Sequence, residues 1–478
     1  MANILSILTS AGTSLAAQQE VTATASNNID NANTPGYSRQ TAVVTDLAPT
    51  DTVGGTVVGG GATVTTVTQA RNRFLEAQIP QALAQAAQSS AESDALASLA
   101  TFNTGTDASS GSSTTTGGAL STAISSFYSS LSAVAQDPSD PSLRSAAFGE
   151  AQALAQAFNT TSEDIASSRS ALDTQASGLV GEINAAAAAV AQLNGEIQEA
   201  SAGGTPPNDL LDQRQTQLDT LATLTGGTPL TTSQGYVNVM LPGGIALVAG
   251  TSAGSLSTQP DPTNGGHLGL VLTQPGGTST IAIADAGVGG SLGGTLAARD
   301  GALATAAAQV DELASDLSAQ LNTVNEAGYG LAGSTGLALF TTGPTATGAA
   351  GAMSLALSNS DQLALSATSG ATGDATNAQA LVATQSAALS GGEDVTSTLS
   401  SITSQFGTAA SDAQALSTQD SALSANLQTQ RASYSGVSTD EELITLQSAQ
   451  RAYEAISKVI TTTDTMMDYL LSMTNITT

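Results

Sequence analysis

The segment Val395–Tyr434 reads VTSTLSSITSQFGTAASDAQALSTQDSALSANLQTQRASY. Its apolar and small residues recur in alternating steps of four and three, which is the period of a helix in a coiled coil. The pattern predicts one uninterrupted helix of about forty residues. The positions that form its seam are Val395, Leu399, Ile402, Phe406, Ala409, Ala413, Leu416, Asp420, Leu423, Leu427, Gln430 and Tyr434.

The same period predicts further long helices on the amino-terminal side. One helix runs from Leu120 to Val134 and stops before Asp137-Pro138. The next begins at Asp140, a predicted N-cap that precedes a proline in the first helical position. A helix from about residue 141 to about residue 200 would be roughly 90 Å long at 1.5 Å per residue. Helical periodicity returns from Leu292 to Val324, so we expect an elongated rod.

The two ends of the chain predict a matched pair of helices, each of about thirty residues. The carboxy-terminal one follows a break at Ser435-Gly436, and Ser438 with Glu441 offers a capping box. Such helices could be halves of an ordinary bundle or could pack against copies in a larger assembly, and the period alone does not choose. The residues of this assembly seam are Ile4, Leu8, Leu15, Ile29, Tyr453, Ile456, Ile460, Met467 and Leu470.

Between Thr228 and Gly290 the apolar period changes to two, which is typical of strands. The runs Tyr236–Leu241 and Ile245–Val248 flank Pro242-Gly243-Gly244, and this arrangement predicts a β-hairpin. From Gly328 to Gly373 the sequence is rich in glycine, serine and threonine, with only weak strands such as Met353–Leu357.

The expected fold class is mainly α with a minor β part. Long heptad helices would form a rod-like bundle, the terminal helices would pair as a coiled coil, and a small β-rich subdomain would be inserted. The predicted domains are a terminal coiled-coil domain (1–45 with 432–478), a long helical bundle domain (46–227 with 292–431), a β-hairpin-rich subdomain (228–291) and a Gly/Ser/Thr-rich segment (328–375).

The composition excludes several classes of site. The chain has 478 residues, no cysteine and one histidine, so thiolate zinc sites, iron–sulfur clusters and multi-histidine metal sites are excluded. We expect no metal and no cofactor. The chain has ten Lys+Arg and 39 Asp+Glu, which gives a net charge of −29. A charge of this sign would repel nucleic acid. No basic region precedes Arg39 and no apolar run reaches 18 residues, so we expect neither a cleaved signal peptide nor membrane insertion.

One catalytic pattern occurs in the sequence. Gly250-Thr-Ser252-Ala-Gly254 matches G-x-S-x-G, and Asp261 and His267 follow in the order of a hydrolase triad. That motif requires a strand before the serine and a helix after it, and Ser255–Pro260 is not a helical sequence. We therefore expect no catalytic residues, and His267 is interpreted as a turn residue.

The segment Ser26–Arg39 reads SNNIDNANTPGYSR. Its asparagines can cap the end of the first helix, and Pro35-Gly36 suits a type II turn in which Gly36 has a positive φ. The string resembles the S-N-N-I-x-N-x-N-T-x-G-Y signature of bacterial flagellar rod, hook and hook-associated proteins. The signature turn consists of Asn27, Asn28, Asn33, Pro35, Gly36 and Tyr37.

A second segment, PPNDLLDQR at 206–214, resembles the corresponding segment of the hook-associated protein 1 family within these axial proteins. Read locally, Asn208 or Asp209 would cap a helix with Leu211, Leu218 and Leu221 on its apolar face. Further family hallmarks are found at 291–300 and 436–443. Many relatives carry a β-rich outer domain after the position of Phe340, which the segment 328–375 replaces here. The family motif residues are Asn208, Asp209, Leu210, Leu211, Asp212 and Arg214.

The resemblance implies a structural protein without enzymatic activity. Such proteins are exported unfolded without a cleaved signal peptide and polymerise at the distal end of the hook, where they join it to the filament. The implied partners are copies of itself, the hook protein, the second hook–filament junction protein and an export chaperone. The terminal helices would form the inner wall of a tube. The alternatives are a flagellar hook or rod protein, which would be dominated by β-domains, a hydrolase that uses Ser252, and a soluble helical scaffold.

Overall fold

The computed structural model describes residues 2–48, 51–53, 56–104, 118–204 and 206–475, and the architecture is mainly α. The helices are α1 Ala2–Asp30, α2 Arg73–Thr104, α3 Ala119–Val134, α4 Pro141–Ser201, α5 Asn208–Thr225, α6 Gly290–Ala297, α7 Leu303–Ala327, α8 Ala349–Ala352, α9 Thr376–Ala383, α10 Val395–Ser435 and α11 Thr439–Asn475. A π-helical turn, Ala298–Ala302, joins α6 to α7.

The strands lie in small antiparallel sheets. They are β1 Gln40–Asp46, β2 Asp51–Val53, β3 Thr56–Val58, β4 Ala62–Gln69, β5 Thr228–Thr231, β6 Val237–Met240, β7 Ala246–Ala249, β8 Ser252–Ala253, β9 Ser255–Pro260, β10 Leu268–Thr273, β11 Thr280–Ile283, β12 Phe340–Thr341 and β13 Ser354–Leu355. Their orders are β1-β4, β2-β3, β5-β6-β7-β8, β11-β10-β9 and β12-β13.

The main core of the rod lies between α3, α4, α7, α9 and the first part of α10. The predicted start of α4 is confirmed, because the Asp140 carboxylate accepts hydrogen bonds from the backbone N–H groups of Ser142 and Leu143 and Pro141 opens the helix. Phe127 packs edge-on against Tyr128 and Phe340, with ring centroids 5.3 and 6.1 Å apart. Such edge-to-face pairs add about 0.5–1.5 kcal/mol to the burial of the rings.

Helix α2 was not predicted from the sequence, and it changes which face of α10 is buried. The two helices pack along their lengths, and Ser93 Oγ donates a hydrogen bond to Gln414 Oε1. The predicted seam of α10 is therefore wrong at Leu416, Leu423 and Tyr434, which are exposed, whereas its members Ala413 and Leu427 are buried. The buried positions of this stretch are Ala413, Ser417, Ser424 and Leu427, because small residues allow close approach to α2.

The Gly/Ser/Thr-rich segment at 328–375 folds back onto the rod and contributes to its core. Leu339, Phe340, Leu363 and Leu365 are all buried there. Asn322 on α7 holds the start of the segment, since its Oδ1 accepts hydrogen bonds from the backbone N–H groups of Leu339 and Phe340. The expected strand at 353–357 is reduced to β13.

The strands β5–β11 form a β-subdomain that packs against the second half of α4. Asn184 and Asn194 on α4 each bond a strand backbone, at Leu256 and Val237 respectively. Gly294 on α6 lies against the α2 backbone, and a Cβ at this position would collide with the carbonyl oxygen of Gln88. The family hallmark at 291–300 thus begins with a helix that requires glycine for close packing.

The predicted domain boundary at residue 45 falls inside β1. This strand pairs with β4 from Gln40–Gln69 to Asp46–Ala62, and the pair forms a ribbon. The ribbon lies against α1, where the backbone N–H of Ala62 donates to Ser14 Oγ. A boundary after Gln69 therefore keeps the ribbon with the amino-terminal helix.

Candidate functional site

Helices α1 and α11 pack against each other along their lengths. The end of α1 meets the start of α11, because Asn28 Nδ2 donates a hydrogen bond to Glu442 Oε2 at 3.1 Å. The pair is therefore antiparallel. The most deeply buried apolar positions of the pair are small residues, namely Ala11, Ala17, Ala25 and Ala449.

The larger side chains of the predicted assembly seam are only partly covered by this pairing. Tyr453 and Leu470 are exposed. The half-buried members are Ile4, Leu8, Leu15, Ile29, Ile456, Ile460 and Met467. Other apolar side chains, such as Ile444 and Tyr469, are about 70 % exposed. The two-helix pair thus leaves much apolar surface open.

The signature turn follows α1 and reverses the chain into β1. Gly36 has φ +82°, which confirms the predicted positive φ, and a Cβ there would lie 2.5 Å from Thr216 Oγ1 on α5. The Tyr37 hydroxyl donates to Asn27 Oδ1 and Asn28 Oδ1, each at 2.8 Å. Burial and the nearby carboxylates of Asp209, Asp212 and Glu442 raise the pKa of Tyr37 well above its ordinary value, so the hydroxyl remains a donor. Asn33 and Pro35 are exposed on the same turn.

Asn28 is the centre of this turn, and only 1 % of its surface is exposed. Its amide donates to the Gln40 carbonyl oxygen at 2.8 Å as well as to Glu442, and its Oδ1 accepts from the Gln40 backbone N–H at 2.9 Å. Both donors and the acceptor are therefore used. A side chain of another shape would leave buried polar groups without partners, at about 1–3 kcal/mol each.

Arg39 connects the turn to the carboxy-terminal helices. Its Nε donates to Glu442 Oε1 at 2.6 Å, and a second nitrogen lies 3.5 Å from Glu441. The Arg39 backbone N–H donates to the carbonyl oxygen of Ser435, the last residue of α10. Glu442 is only 2 % exposed. The charge of this buried carboxylate is balanced by Arg39, and the carboxylate also accepts a hydrogen bond from Asn28.

The family motif at 206–214 meets the signature turn from the side of the rod. Asp212 accepts hydrogen bonds from the Ser38 backbone N–H at 3.0 Å, from Ser38 Oγ at 2.8 Å and from Arg71 at 2.7 Å. Asp209 accepts from Gln40 Nε2 at 3.1 Å. We refer to Asn28, Tyr37, Ser38, Arg39, Gln40, Arg71, Asn208, Asp209, Asp212 and Glu442 as the polar junction.

The predicted capping role of this motif is wrong. Neither Asn208 nor Asp209 caps α5, since the residue at the N-cap position is Pro207 and no side chain caps the helix there. Asn208 instead donates to Gln40 Oε1 and to the Val67 carbonyl oxygen. Arg214 lies apart from the junction and bonds Asn194 Oδ1 and the Gly235 carbonyl oxygen. Leu210 and Leu211 are half-buried.

A cavity of about 300 Å³ lies beside the polar junction, between the signature turn, the start of α2, α5 and the end of α10. Two ion pairs border it, Arg71 with Glu76 and Arg431 with Asp219. In the described part of the chain, no group of three or more His, Asp or Glu side chains could hold a metal ion. Among the described helices, none is long and apolar enough to cross a membrane.

The hydrolase pattern does not form a triad. Ser252 lies in β8 and is followed by β9 and not by a helix. The Asp261 carboxylate accepts from the backbone N–H of Thr263 and caps a short 3-10 turn. His267 follows that turn and bonds Asp173 on α4 at 2.8 Å. The strand–serine–helix arrangement that activates such a serine is thus missing at this position.

Three family models match the chain. Residues 110–340 match the flagellar hook-associated protein FlgK helical domain, 8–37 match a flagella basal body rod protein, and 428–473 match the flagellar basal body rod FlgEFG protein C-terminal region. The last two cover the helices that meet at the polar junction. The first covers α3–α7 together with the family motif.

Curated relatives agree with these matches. Flagellar hook-associated protein 1 of Escherichia coli is 27 % identical over 71 % of this chain, and that of Salmonella typhimurium is 28 % identical over 71 %. The matched regions span 61 % and 60 % of those two proteins. The Bacillus subtilis protein of the same name is 27 % identical over 97 % of both chains.

A solved structure, the flagellar hook junction protein FlgK from Burkholderia pseudomallei, superposes with a TM-score of 0.67. It is 21 % identical and covers 75 % of this chain and 100 % of that one, so it shows a shared fold. The helical-domain model and the curated relatives thus show that the chain is similar to flagellar hook-associated protein 1 along most of its length.

Proposed function

We propose that this chain is a structural component of the bacterial flagellum that polymerises at the distal end of the hook and forms the junction between hook and filament. The observation that carries the proposal is the polar junction. It joins an incompletely buried terminal coiled coil to a folded rod through residues of both family signatures. Copies of the chain, the hook protein and the second junction protein are the proposed partners.

The open apolar surface of the coiled coil supports a role in polymerisation. Burial yields about 25 cal/mol per Å² of apolar surface, whereas ordering a residue costs about 1.5 kcal/mol. The pair α1–α11 buries mainly alanines and leaves Ile444, Met466 and Tyr469 more than half exposed. Packing against further copies would cover these side chains and supply the missing stabilisation, so folding of the ends would be coupled to assembly.

The polar junction would set the direction in which the coiled coil leaves the rod. Asp212 and Asp209 on α5 accept hydrogen bonds from Ser38 and Gln40, which follow the signature turn, so the angle between the coiled coil and the rod is fixed by directional contacts. A subunit in a tube needs a defined angle, because each copy must present its terminal helices to the inner wall in the same way. No step of this role requires turnover chemistry.

The proposal includes export through the flagellar secretion channel without a cleaved signal peptide, assisted by an export chaperone. The absence of cysteine supports this route, since no disulfide has to form or be broken on the way.

Deletion of the gene tests the proposal. We expect mutant cells to make hooks but to release unattached filament protein into the medium, and electron microscopy with immunoblotting of the medium would detect both. Complementation with the wild-type chain and with a Ser252→Ala variant should restore attached filaments equally. Loss of the hooks themselves would assign the chain to hook or rod proteins, and attached filaments in the deletion strain would refute the proposal.

A further inference from the structure

The cations of this chain are scarce, and most are engaged within the subunit. Of ten, Arg39, Arg71, Arg169, Arg299 and Arg431 pair with carboxylates. Arg144 bonds backbone carbonyl oxygens, and Arg214 bonds Asn194 and Gly235. Among the described residues, only Arg73, Arg451 and Lys458 make no ion pair or side-chain hydrogen bond, and all three are exposed.

Two of these three cations lie on the outer face of α11. Arg451 and Lys458 are seven residues apart, so they share one face of the helix, and Ile444 lies one heptad earlier on the same face. Lys458 has Glu454 four residues before it, the spacing at which helical ion pairs form. Arg451 has Gln447 and Ala455 at its four-residue spacings and Glu454 three residues after it, but it forms no ion pair among the described residues.

Helix α1 presents the opposite charge. Its described residues contain no cation, and its acids are Glu20 and Asp30, both exposed. Glu20 lies eight residues before Asn28, and Gln450 lies eight residues after Glu442. Because Asn28 bonds Glu442 in an antiparallel pair, both positions are about 12 Å from that contact. Glu20 and Arg451 are therefore at the same height along the coiled coil.

These two side chains do not pair within the subunit, although they are level with each other. Each is exposed on its own helix, away from the packed seam. A copy placed alongside at the same height would bring its Glu20 to the Arg451 of the first subunit. Such a contact is heterologous, so it repeats around a ring or a helical tube.

We propose that Glu20 of one copy forms an ion pair with Arg451 of the next copy and thereby sets the lateral register of the terminal coiled coils. This inference rests on the proposed polymerisation. Two copies of a chain with a net charge of −29 repel each other over long range. An exposed cation on one copy attracts the acidic surface of the other and so favours approach at that position. Exposed apolar side chains elsewhere on α11, such as Ile444, supply contact area, and the ion pair fixes the position of one copy along the axis of the next.

Charge reversal tests the pair. Purified full-length Glu20→Arg and Arg451→Glu variants are each expected to raise the critical concentration for polymerisation, measured by sedimentation, by about tenfold, which is about 1.4 kcal/mol. The double variant restores the attraction with the charges exchanged, and its critical concentration should return to within about twofold of wild type. Arg73→Glu, which reverses an exposed cation on α2, is the matched control and should polymerise like wild type. Circular dichroism of each variant checks that helix content is unchanged.

The same variants are also measured by filament attachment in the deletion strain, so a chain that polymerises only in cells is tested as well. Attachment should fall in both single variants and recover in the double variant. Single variants that polymerise and attach filaments like wild type would overturn the ion pair, as would a double variant no better than the singles. Either result leaves the proposed function standing, because that function fails only if the deletion strain keeps its filaments.

Discussion

Replacing Asp212 by alanine is expected to release the signature turn from the rod without unfolding either the terminal coiled coil or the rod. The carboxylate accepts three hydrogen bonds, two from Ser38 and one from Arg71. Its loss leaves the Ser38 N–H and hydroxyl, both in a buried residue, without their acceptor. Breaking a buried ion pair costs about 3–5 kcal/mol, but Arg71 is partly exposed and keeps Glu76 at 3.4 Å. We therefore expect local opening to become easier by about 2–3 kcal/mol.

Amide hydrogen exchange measures this opening directly. Suitable reporters are the backbone N–H groups of Arg39, which donates to Ser435, and of Ala70, which donates to Arg39. Both acceptors are untouched by the substitution, so faster exchange at these amides reports opening of the turn and not loss of their own partners. An easing of about 2–3 kcal/mol corresponds to exchange that is roughly 30- to 150-fold faster.

Asp209→Ala is the matched control. Asp209 is exposed, lies three residues earlier on the same helix and accepts a hydrogen bond from Gln40 Nε2. Its removal should change exchange at the same amides by less than about fivefold, since exposed contacts contribute at most about 1 kcal/mol. If Asp212→Ala folds normally and the reporter amides exchange within about threefold of wild type, Asp212 does not hold the turn.

Three further predictions concern the signature turn, the two chain ends and the β-subdomain. Gly36→Val should impair incorporation into polymers while the rod stays folded. A β-branched residue at positive φ costs about 1–3 kcal/mol, and its Cβ would collide with Thr216. Wild-type numbers of attached filaments in this variant would contradict the prediction. Limited proteolysis of the dilute monomer should trim the ends to near Arg39 and near Arg431, and protease-resistant ends would argue against coupled folding. Burial favours the protonated form of Asp173, but hydrogen bonds from His267 and then from Arg299 outweigh this effect and lower the pKa of the Asp173 carboxyl. The ionised carboxylate therefore stabilises the fold above the ordinary carboxyl pKa, and this stabilisation is lost as the pH falls through the lowered pKa. Proteolysis of the β-subdomain should therefore increase on acidification, and less steeply in Asp173→Asn.

Local structure followed from the sequence wherever one short-range signal was sufficient. The heptads predicted α4, α10 and α11, and Asp140 with Pro141 predicted where α4 begins, because capping and period are decided within a few residues. The change to a period of two predicted the strands between 228 and 291. Helix α2 escaped prediction, since its alanine, glutamine and serine residues blur the apolar stripe and Pro80 lies inside it.

The site itself was recognisable only as separate motifs. The signature residues Asn28 and Tyr37 and the motif residue Asp212 were singled out, but nothing in the sequence places Asp212 against Ser38, 174 residues away. Glu442 lies in the hallmark at 436–443 but was not singled out as a contact residue, because an acid in the first turn of a helix is ordinary on a solvated surface. Its burial depends on α11 packing against α1, which is a tertiary event.

The same reason explains the wrong assignments on α5 and α10. Asparagine at a helix start usually caps it, but Asn208 has better acceptors on Gln40 and β4 once the ribbon packs there. Leucine in a heptad usually faces the partner, but α2 approaches α10 over Ser417 and Ser424, so Leu416 and Leu423 remain exposed. Periodicity and capping determine which elements form, because they act over a few residues. Which faces meet was decided only in the tertiary structure, where distant side chains compete for the same contacts.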